Sequence, residues 1–547
     1  MVWLPKGQGR AAVAIAAVLI LGVFFRFYGL GHKLLWHDEL ATRVFAAGYT
    51  VEEWKAALYT GEIFDVSEVQ KYQRHNPSRS VAEATRDLAE NDPQHPPLYY
   101  VLTRIWVTLF GDGLGTLRAL SAWVSLLCLG GMYWLSRELF DSPRAAWMSV
   151  ALLSLSPFFV LYAQEAREYA LWTLLILLSN AGLLWAIRRT EKGEPAPRVA
   201  RAWAFYGLMT VVSLYTSFTT ASVILTQLLY LLFRERLRFR RVGRLAFVTL
   251  AVSALCFVPW VITLLRHFDA FQISMRWSKE IIIPVSALWR ILGHNFSRTI
   301  VDFWPELETP LSLSVMGLAV ALILAALVFM ARRAPRSTAL LALLLVVFPI
   351  GMLLVPDLLF GGIRSISMRY LTPAWLGVLL ALGYFLGTIS PPKLGSGLGA
   401  LVLVISLLST AHNAPEAAVW TKATSVSLPQ VAAAVNRTPN ALIVGNFERH
   451  NPGNLMALST LLRPGTKMQF LDVKKEERWA LPRNFSAVYL LSPIPDYMQA
   501  MEQREGVRAE KLVEDHFLDL WEIHTSTAAG SGGSGARSAP AETAPPG

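Results

Sequence analysis

Apolar residues run along this chain in long blocks, and polar residues gather in the gaps between them. A helix needs about 20 mostly apolar residues to cross the hydrocarbon core of a bilayer. The blocks Ala11–Tyr28, Thr116–Leu135, Ala145–Tyr162, Tyr169–Ile187, Trp203–Leu214, Phe218–Phe233, Leu245–Leu265, Leu311–Ala331, Ala339–Leu354, Leu371–Leu386 and Leu398–Leu408 therefore predict about eleven spans, the shorter ones completed by their flanks. A further apolar run, Pro96 to Phe110, is short, and reads as a helix lying along the outer membrane surface. After Leu408 the pattern changes. Ala441–Gly445, Lys467–Leu471 and Ser486–Leu490 predict strands, and Leu428–Val435 and Asn454–Leu462 predict helices. That alternation points to a small α/β domain. The expected division is a transmembrane domain over 1–412, an α/β domain over 413–526 and a Gly-, Ser-, Ala- and Pro-rich disordered tail over 527–547. No internal repeat relates the two halves.

Charge sharpens this picture. Only 16% of residues are charged, against roughly 25% in soluble proteins. The net charge of +11 would suit nucleic acid, but its placement argues otherwise. Lys6 and Arg10, Arg137 and Arg144, Arg188 to Arg201, Arg234 to Arg244, Arg332 to Arg336, and Lys393 occupy every second loop. Basic loops stay cytoplasmic, so the excess sets orientation and implies no nucleic-acid partner. The same parity places Asp38-Glu39, Gln94-His95, Gln164 to Arg167, Arg364 to Arg369 and the α/β domain outside. The first block is followed by Phe24-Phe25-Arg26-Phe27-Tyr28, with no small-residue cleavage site, and reads as an uncleaved anchor. Cys128 and Cys256 lie in apolar runs and read as small buried hydrophobes without a disulfide.

Four polar motifs stand at the predicted outer face. Charged groups beside lipid are costly to keep and are functional candidates. In Trp36-His37-Asp38-Glu39-Leu40, Asp38 could simply cap a helix running to Ala47 and stopped by Gly48, with Glu39 paired to Arg43 one turn on. Gln94-His95-Pro96-Pro97 could be a linker whose prolines open the next helix, or could present His95 to a phosphate. Tyr162-Ala163-Gln164-Glu165-Ala166-Arg167-Glu168-Tyr169 holds more charge than interfacial anchoring needs, and an arginine held by a glutamate is a preorganised fork for an anion. Arg369-Tyr370-Leu371-Thr372-Pro373 is either a snorkelling anchor or a second phosphate contact.

Taken in order, the Asp-Glu pair, His95-Pro96-Pro97-Leu98-Tyr99-Tyr100, Leu117-Arg118-Ala119-Leu120-Ser121, Ser156-Pro157 with Tyr162 to Tyr169, and Arg369 to Pro373 form a set. This set resembles the polytopic glycosyltransferases that use polyprenyl-phosphate sugars, the protein O-mannosyltransferases and lipid A aminoarabinose transferases of glycosyltransferase family 39. The resemblance covers roughly Gly31 to Ser390. Tyr215-Thr216-Ser217 stands where many relatives carry Thr-His, and Gln94-His95 where the aminoarabinose branch has Glu-Lys.

The resemblance implies a GT-C fold with about eleven transmembrane helices, exoplasmic juxtamembrane helices and the exoplasmic α/β domain. It implies Asp38 as catalytic base, with Glu39 binding acceptor or sugar hydroxyls. Arg167, Arg369 and His95 would stabilise charge on the leaving phosphate. His37, Gln164, Glu165, Tyr169 and Tyr370 would position substrate. The expected partners are a polyprenyl-phosphate sugar, an exoplasmic acceptor and the bilayer, and the expected location is a bacterial inner membrane with the site on the periplasmic side. A divalent metal is compatible with the pattern but not required by it. Two other classes share some of these features. A transporter or flippase would show repeat symmetry and midplane polar sites, which this chain lacks. A membrane scaffold would explain the α/β domain but not the clustered acids and arginines.

Overall fold

The computed structural model describes residues 9–236, 238, 240–303, 309–447, 451–472, 479–494, 498–499, 501, 503 and 507–524. The tail expected to be disordered lies outside them. The chain divides into two compact units, Met1–Trp54 with Tyr72–Ala423, and Lys55–Lys71 with Thr424–Gly547.

The first unit is helical. The predicted apolar blocks lie in helices to within a residue or two at their ends, except that Ala145–Tyr162 is broken into two. Among the described residues seven helices are long and apolar enough to cross a membrane: Leu114–Phe140, Tyr169–Glu191, Arg241–Arg266, Pro310–Arg333, Arg336–Phe360, Met368–Thr388 and Pro392–Asn413. An eighth candidate is a bent pair, and shorter apolar helices cover Ala11–Phe27, Leu98–Phe110 and Thr220–Arg234. Tyr169–Glu191 and Met368–Thr388 are the most buried and form the centre of the helix bundle, whereas Arg241–Arg266 and Pro310–Arg333 keep most of their surface outward. Cys256 is correspondingly exposed, against expectation, and Cys128 is buried. Close approach is bought with small residues: a Cβ at Gly383 would collide with Ser149, and one at Gly387 with the Ala145 backbone.

The bend has a sequence cause. The predicted span Ala145–Tyr162 is two helices, Pro143–Leu155 and Pro157–Ala163, turned by 58°. Proline lacks an amide hydrogen and disfavours helical geometry at the residue before it, and Ser156 is extended in ψ at 120°. The break frees carbonyls in the protein interior, where unpaired acceptors are costly. Arg26, only 1% exposed, supplies the missing donors. Its Nη1 donates to Ser154 O at 2.6 Å and its Nη2 to Leu153 O at 3.0 Å. What the sequence shows as a flank of the first span is thus the cap of a broken one.

The second unit holds one six-stranded sheet. Its strands are β1 (Ile63–Asp65), β2 (Ala441–Asn446), β3 (Lys467–Leu471), β4 (Ala487–Leu491), β5 (Arg508–Glu514) and β6 (Asp519–His524), in the order β1-β3-β2-β4-β6-β5. β2 pairs in parallel with both β3 and β4, and the other pairs are antiparallel. Of the three parallel strands, β2 and β4 are nearly continuous apolar runs and β3 alternates polar and apolar, and both patterns were legible as strands. β5 and β6 alternate with charge, and β1 comes from a loop nearly 400 residues earlier, roughly the separation of the Asp65–Lys467 pair.

Arg26→Met should lower stability by roughly 2 kcal/mol or more, because two buried carbonyls lose their donors. Thermal unfolding of the detergent-solubilised chain measures this; an unchanged midpoint would show that the break needs no cap.

Candidate active site

The site begins where the chain leaves its first helix. The loop from Gly29 to Trp36 carries few side chains able to hold it, so other segments do so. Lys33 Nζ donates to the carbonyls of Asn413, Ala414 and Glu416 at 2.8, 2.9 and 2.7 Å. Leu34 N donates to Ala417 O at 2.7 Å. These bonds tie the loop to the strap that follows the Pro392–Asn413 helix.

Arg118, in the first turns of the Leu114–Phe140 helix, is fully buried. All five of its N–H donors are used. Three go to Leu30 O, Lys33 O and Leu34 O at 2.7, 2.8 and 2.8 Å. The other two reach Glu39 Oε1 and Oε2 at 2.8 and 2.6 Å. Glu39 also accepts from Ala166 N at 2.9 Å and from Lys422 Nζ at 2.8 Å. Burial pushes its carboxyl up, but Arg118 and Lys422 outweigh burial and hold it well below the usual range. Glu39 has no exposed surface and no capacity left for a sugar hydroxyl. The expected role in substrate binding is therefore replaced by an architectural one, and the expected Glu39–Arg43 pair does not form.

Glu39 directs its neighbour. The helix is His37–Ala47, with Trp36 rather than Asp38 at the cap position and Gly48 in the left-handed conformation at its end. Asp38 sits in the first turn, and its carboxylate meets Arg369 Nη1 at 2.7 Å with 21% of its side chain exposed. Its carbonyl accepts from Arg167 Nη1 at 3.1 Å. Burial raises the Asp38 pKa, but Arg369 first, then Arg167, His37 and His95, lower it to about 2. His37 opens the helix, and burial lowers its pKa.

Arg167 and Glu168 form the next layer. Arg167 Nε lies 3.3 Å from Glu168 Oε2, and Nη1 donates to Tyr100 Oη at 3.2 Å. Charge from Glu168 and its neighbours outweighs burial and raises the Arg167 pKa well above its ordinary value. The glutamate that holds this arginine is Glu168. His95 lies beside it, with Nδ1 3.9 Å from Glu168 Oε1 and Nε2 3.7 Å from Asp92 Oδ2. Glu165 instead faces Lys422 Nζ at 3.8 Å. Burial pushes its carboxyl up to about 7, opposed by Lys422 and assisted by Glu39. Gln164 donates to Phe25 O and Tyr28 O, both at 2.7 Å, and so anchors the end of the first helix.

Arg369 lies beside two aromatic rings, 5.8 Å from Trp36 and 5.4 Å from Tyr370. Tyr169 is buried with its ring 5.9 Å from Arg167. The turn before Arg369 is held by Asp357, whose carboxylate accepts from Arg364 Nη1 at 2.7 Å, Ser365 N at 2.7 Å and Ser365 Oγ at 2.8 Å. Asp38, Arg167, Arg369 and His95 thus come together, whereas Glu39, Gln164 and Glu165 turn away into the framework. Lys422 and Asp357 escaped sequence reasoning, and Tyr100 and Arg118 stood in its motifs without a role. An acid inside an apolar run was the available signal for Asp357; Lys422 had none. Among the described residues no group of three or more His, Cys, Asp or Glu side chains could hold a metal ion.

Residues 94–262 match the family model described as dolichyl-phosphate-mannose-protein mannosyltransferase. No curated protein matches the chain by sequence. The structure is similar to crystal structures of ArnT from Cupriavidus metallidurans bound to undecaprenyl phosphate (TM-score 0.53, 16% identity) and in the apo state (TM-score 0.53, 15% identity). Each alignment covers 96% of this chain and 100% of the other. An oligosaccharyltransferase from Archaeoglobus fulgidus is more distant, with TM-score 0.48, 13% identity, and 84% and 64% of the two chains covered. The likeness to ArnT shows a shared fold, and the family match lies within the helical first unit.

The raised Glu165 pKa has a sign that can be checked. Between the ordinary glutamate range and about pH 7 the folded chain holds a proton that the unfolded chain has released. This contribution to stability is complete at low pH and is lost as pH rises to about 7. Glu165→Gln should match wild type at about pH 4 and melt higher at about pH 8, by roughly 1–3 kcal/mol. Parallel melting curves at both pH values would show that Glu165 stays ionised.

Proposed function

We propose that the chain is an inverting glycosyltransferase that moves a sugar from a polyprenyl phosphate to a hydroxyl acceptor at the exoplasmic face of a membrane. The observation that carries this reading is the pairing of a partly exposed carboxylate, Asp38, with the Arg369 guanidinium at 2.7 Å, and Arg167 just behind them. Base and anion-binding groups meet at the end of a helix bundle, where a lipid can enter sideways and a polar acceptor can arrive from water. The ArnT structure of similar fold is bound to undecaprenyl phosphate, which favours the same class of lipid here. The basic loops favour a cytoplasmic Arg234–Arg244 and hence an exoplasmic site, as in a bacterial inner membrane.

The chemistry follows from the groups. A sugar phosphate is already activated, so one carboxylate suffices where a glycosidase uses two. Asp38 takes the proton of the acceptor hydroxyl as that oxygen bonds to the anomeric carbon. The bond from that carbon to the phosphate oxygen breaks, and its electron pair leaves with the polyprenyl phosphate. A single displacement inverts the anomeric centre. Arg369 faces the negative charge that develops on the phosphate. Arg167 is more enclosed, with 4% of its side chain exposed against 18% for Arg369. It adds positive potential and fixes the Asp38 backbone. His95 lies within reach as a further donor, and Tyr370, Tyr169 and His37 shape the walls.

Asp38→Asn keeps the shape of the residue and removes its basicity. Transfer from a matched polyprenyl-phosphate sugar should fall by roughly a thousandfold with expression and folding intact. Arg369→Lys should slow transfer about a hundredfold, since lysine keeps the charge but not the planar fork. Wild-type turnover in both variants would return these residues to surface anchoring. Orientation has its own test. In a cysteine-free background, Arg240→Cys should resist impermeant thiol reagents applied to intact cells, and ready labelling there would reverse the topology.

A further inference from the structure

Arg369 is asked to serve two anions. In this structure its Nη1 is paired with Asp38 at 2.7 Å. Its Nε makes no hydrogen bond, and Trp36 and Tyr370 flank it. A guanidinium fork fits a carboxylate and a phosphate equally well, and two anions gathered on one guanidinium repel each other, so each weakens the hold of the other. The pairing also works against the reaction. A carboxylate paired with an arginine has one oxygen engaged and its basicity depressed, which works against taking the acceptor's proton.

The two partners differ in their freedom to move. The Asp38 backbone is held by Arg167, and the adjacent Glu39 is clamped by Arg118, Lys422 and Ala166 N. Asp38 itself is a short side chain on that fixed turn. Arg369 is a long side chain on a turn pinned only at its backbone, by Thr372 Oγ1 donating to Arg369 O at 2.8 Å and by Trp375 Nε1 donating to Met368 O at 2.8 Å. The guanidinium is therefore the part able to swing, and the carboxylate the part that stays.

We propose that Asp38 and the phosphate of the incoming lipid compete for the Arg369 guanidinium, so that donor binding itself frees Asp38 to act on the acceptor. This rests on the polyprenyl-phosphate reading above and adds an order to it. The donor engages first, Arg369 turns from carboxylate to phosphate, and only then does Asp38 regain the basicity to take the acceptor's proton. Asp38 acts in the resting chain as an internal stand-in for the phosphate, and Arg369 is both the lock on the base and the ligand that the donor claims.

The test is binding of undecaprenyl phosphate, without sugar, to the purified full chain in detergent. Asp38→Asn and Asp38→Ala both remove the competing charge, and neither removes a helix cap. When a site is free only part of the time, its apparent affinity falls by that fraction. If Arg369 is free about a tenth of the time, both variants should bind about tenfold more tightly than wild type. The gain should vanish in an Arg369→Met background, which isolates the shared partner. Equal or weaker binding by the Asp38 variants, with wild type binding measurably, would overturn the competition while leaving the donor reading in place. Failure of wild type and both variants alike to bind the lipid would remove the donor reading, and the competition with it.

Discussion

The buried Glu39 carboxylate, held between Arg118 and Lys422, is the constraint on which the site depends. Taking an ion out of water costs several kcal/mol, and only complete pairing and hydrogen bonding offset it. Here the offset is complete: five donors of Arg118 are used, and four donors converge on Glu39. No partner can leave without stranding a buried charge. Four segments distant in sequence are thereby held in one arrangement: the loop after the first helix, the start of the Leu114–Phe140 helix, the turn at Ala166 and the strap carrying Lys422.

Adjacent residues on a helix point about 100° apart. With Glu39 committed to the interior, Asp38 is aimed toward Arg369 and the partly exposed side. Two carboxylates that are chemically almost the same thus acquire different work from their surroundings, a division of labour often found where acids share a site. Glu165 shows a third outcome. It is buried beside a lysine already claimed by Glu39, so burial dominates and its proton is held more tightly.

Strain in the helix bundle is handled in the same way. The Ser156–Pro157 break turns the chain so that the 163–168 segment can return toward Asp38, and it exposes carbonyls that Arg26 then satisfies. Asp357 does the corresponding job before Arg369, converting a glycine-containing turn into a fixed platform. In both places a charged residue inside an apolar run closes a gap in backbone hydrogen bonding and contacts no part of the proposed substrate path.

The sequence by itself determined the long apolar helices of the first unit, because such blocks become helical in lipid, but it did not reveal the short polar helices Val51–Leu58 and Val81–Asn91. It also determined the three parallel strands, two from continuous apolar runs and one from alternation, and the Gly48 stop, which needs a left-handed backbone. It marked Asp38, Arg167 and Arg369 as notable because charge beside a membrane is costly. It could not say which of the paired acids faces inward, since Asp38 and Glu39 differ by one methylene and their fates turn on Arg118 and Lys422, 79 and 383 residues further along the chain. Nor could it reveal that β1 joins the sheet from residues 63–65, or that Gln164 and Glu165 belong to the framework. Those outcomes are decided by which buried charge finds which partner, and that is a property of tertiary distance, which no local pattern records.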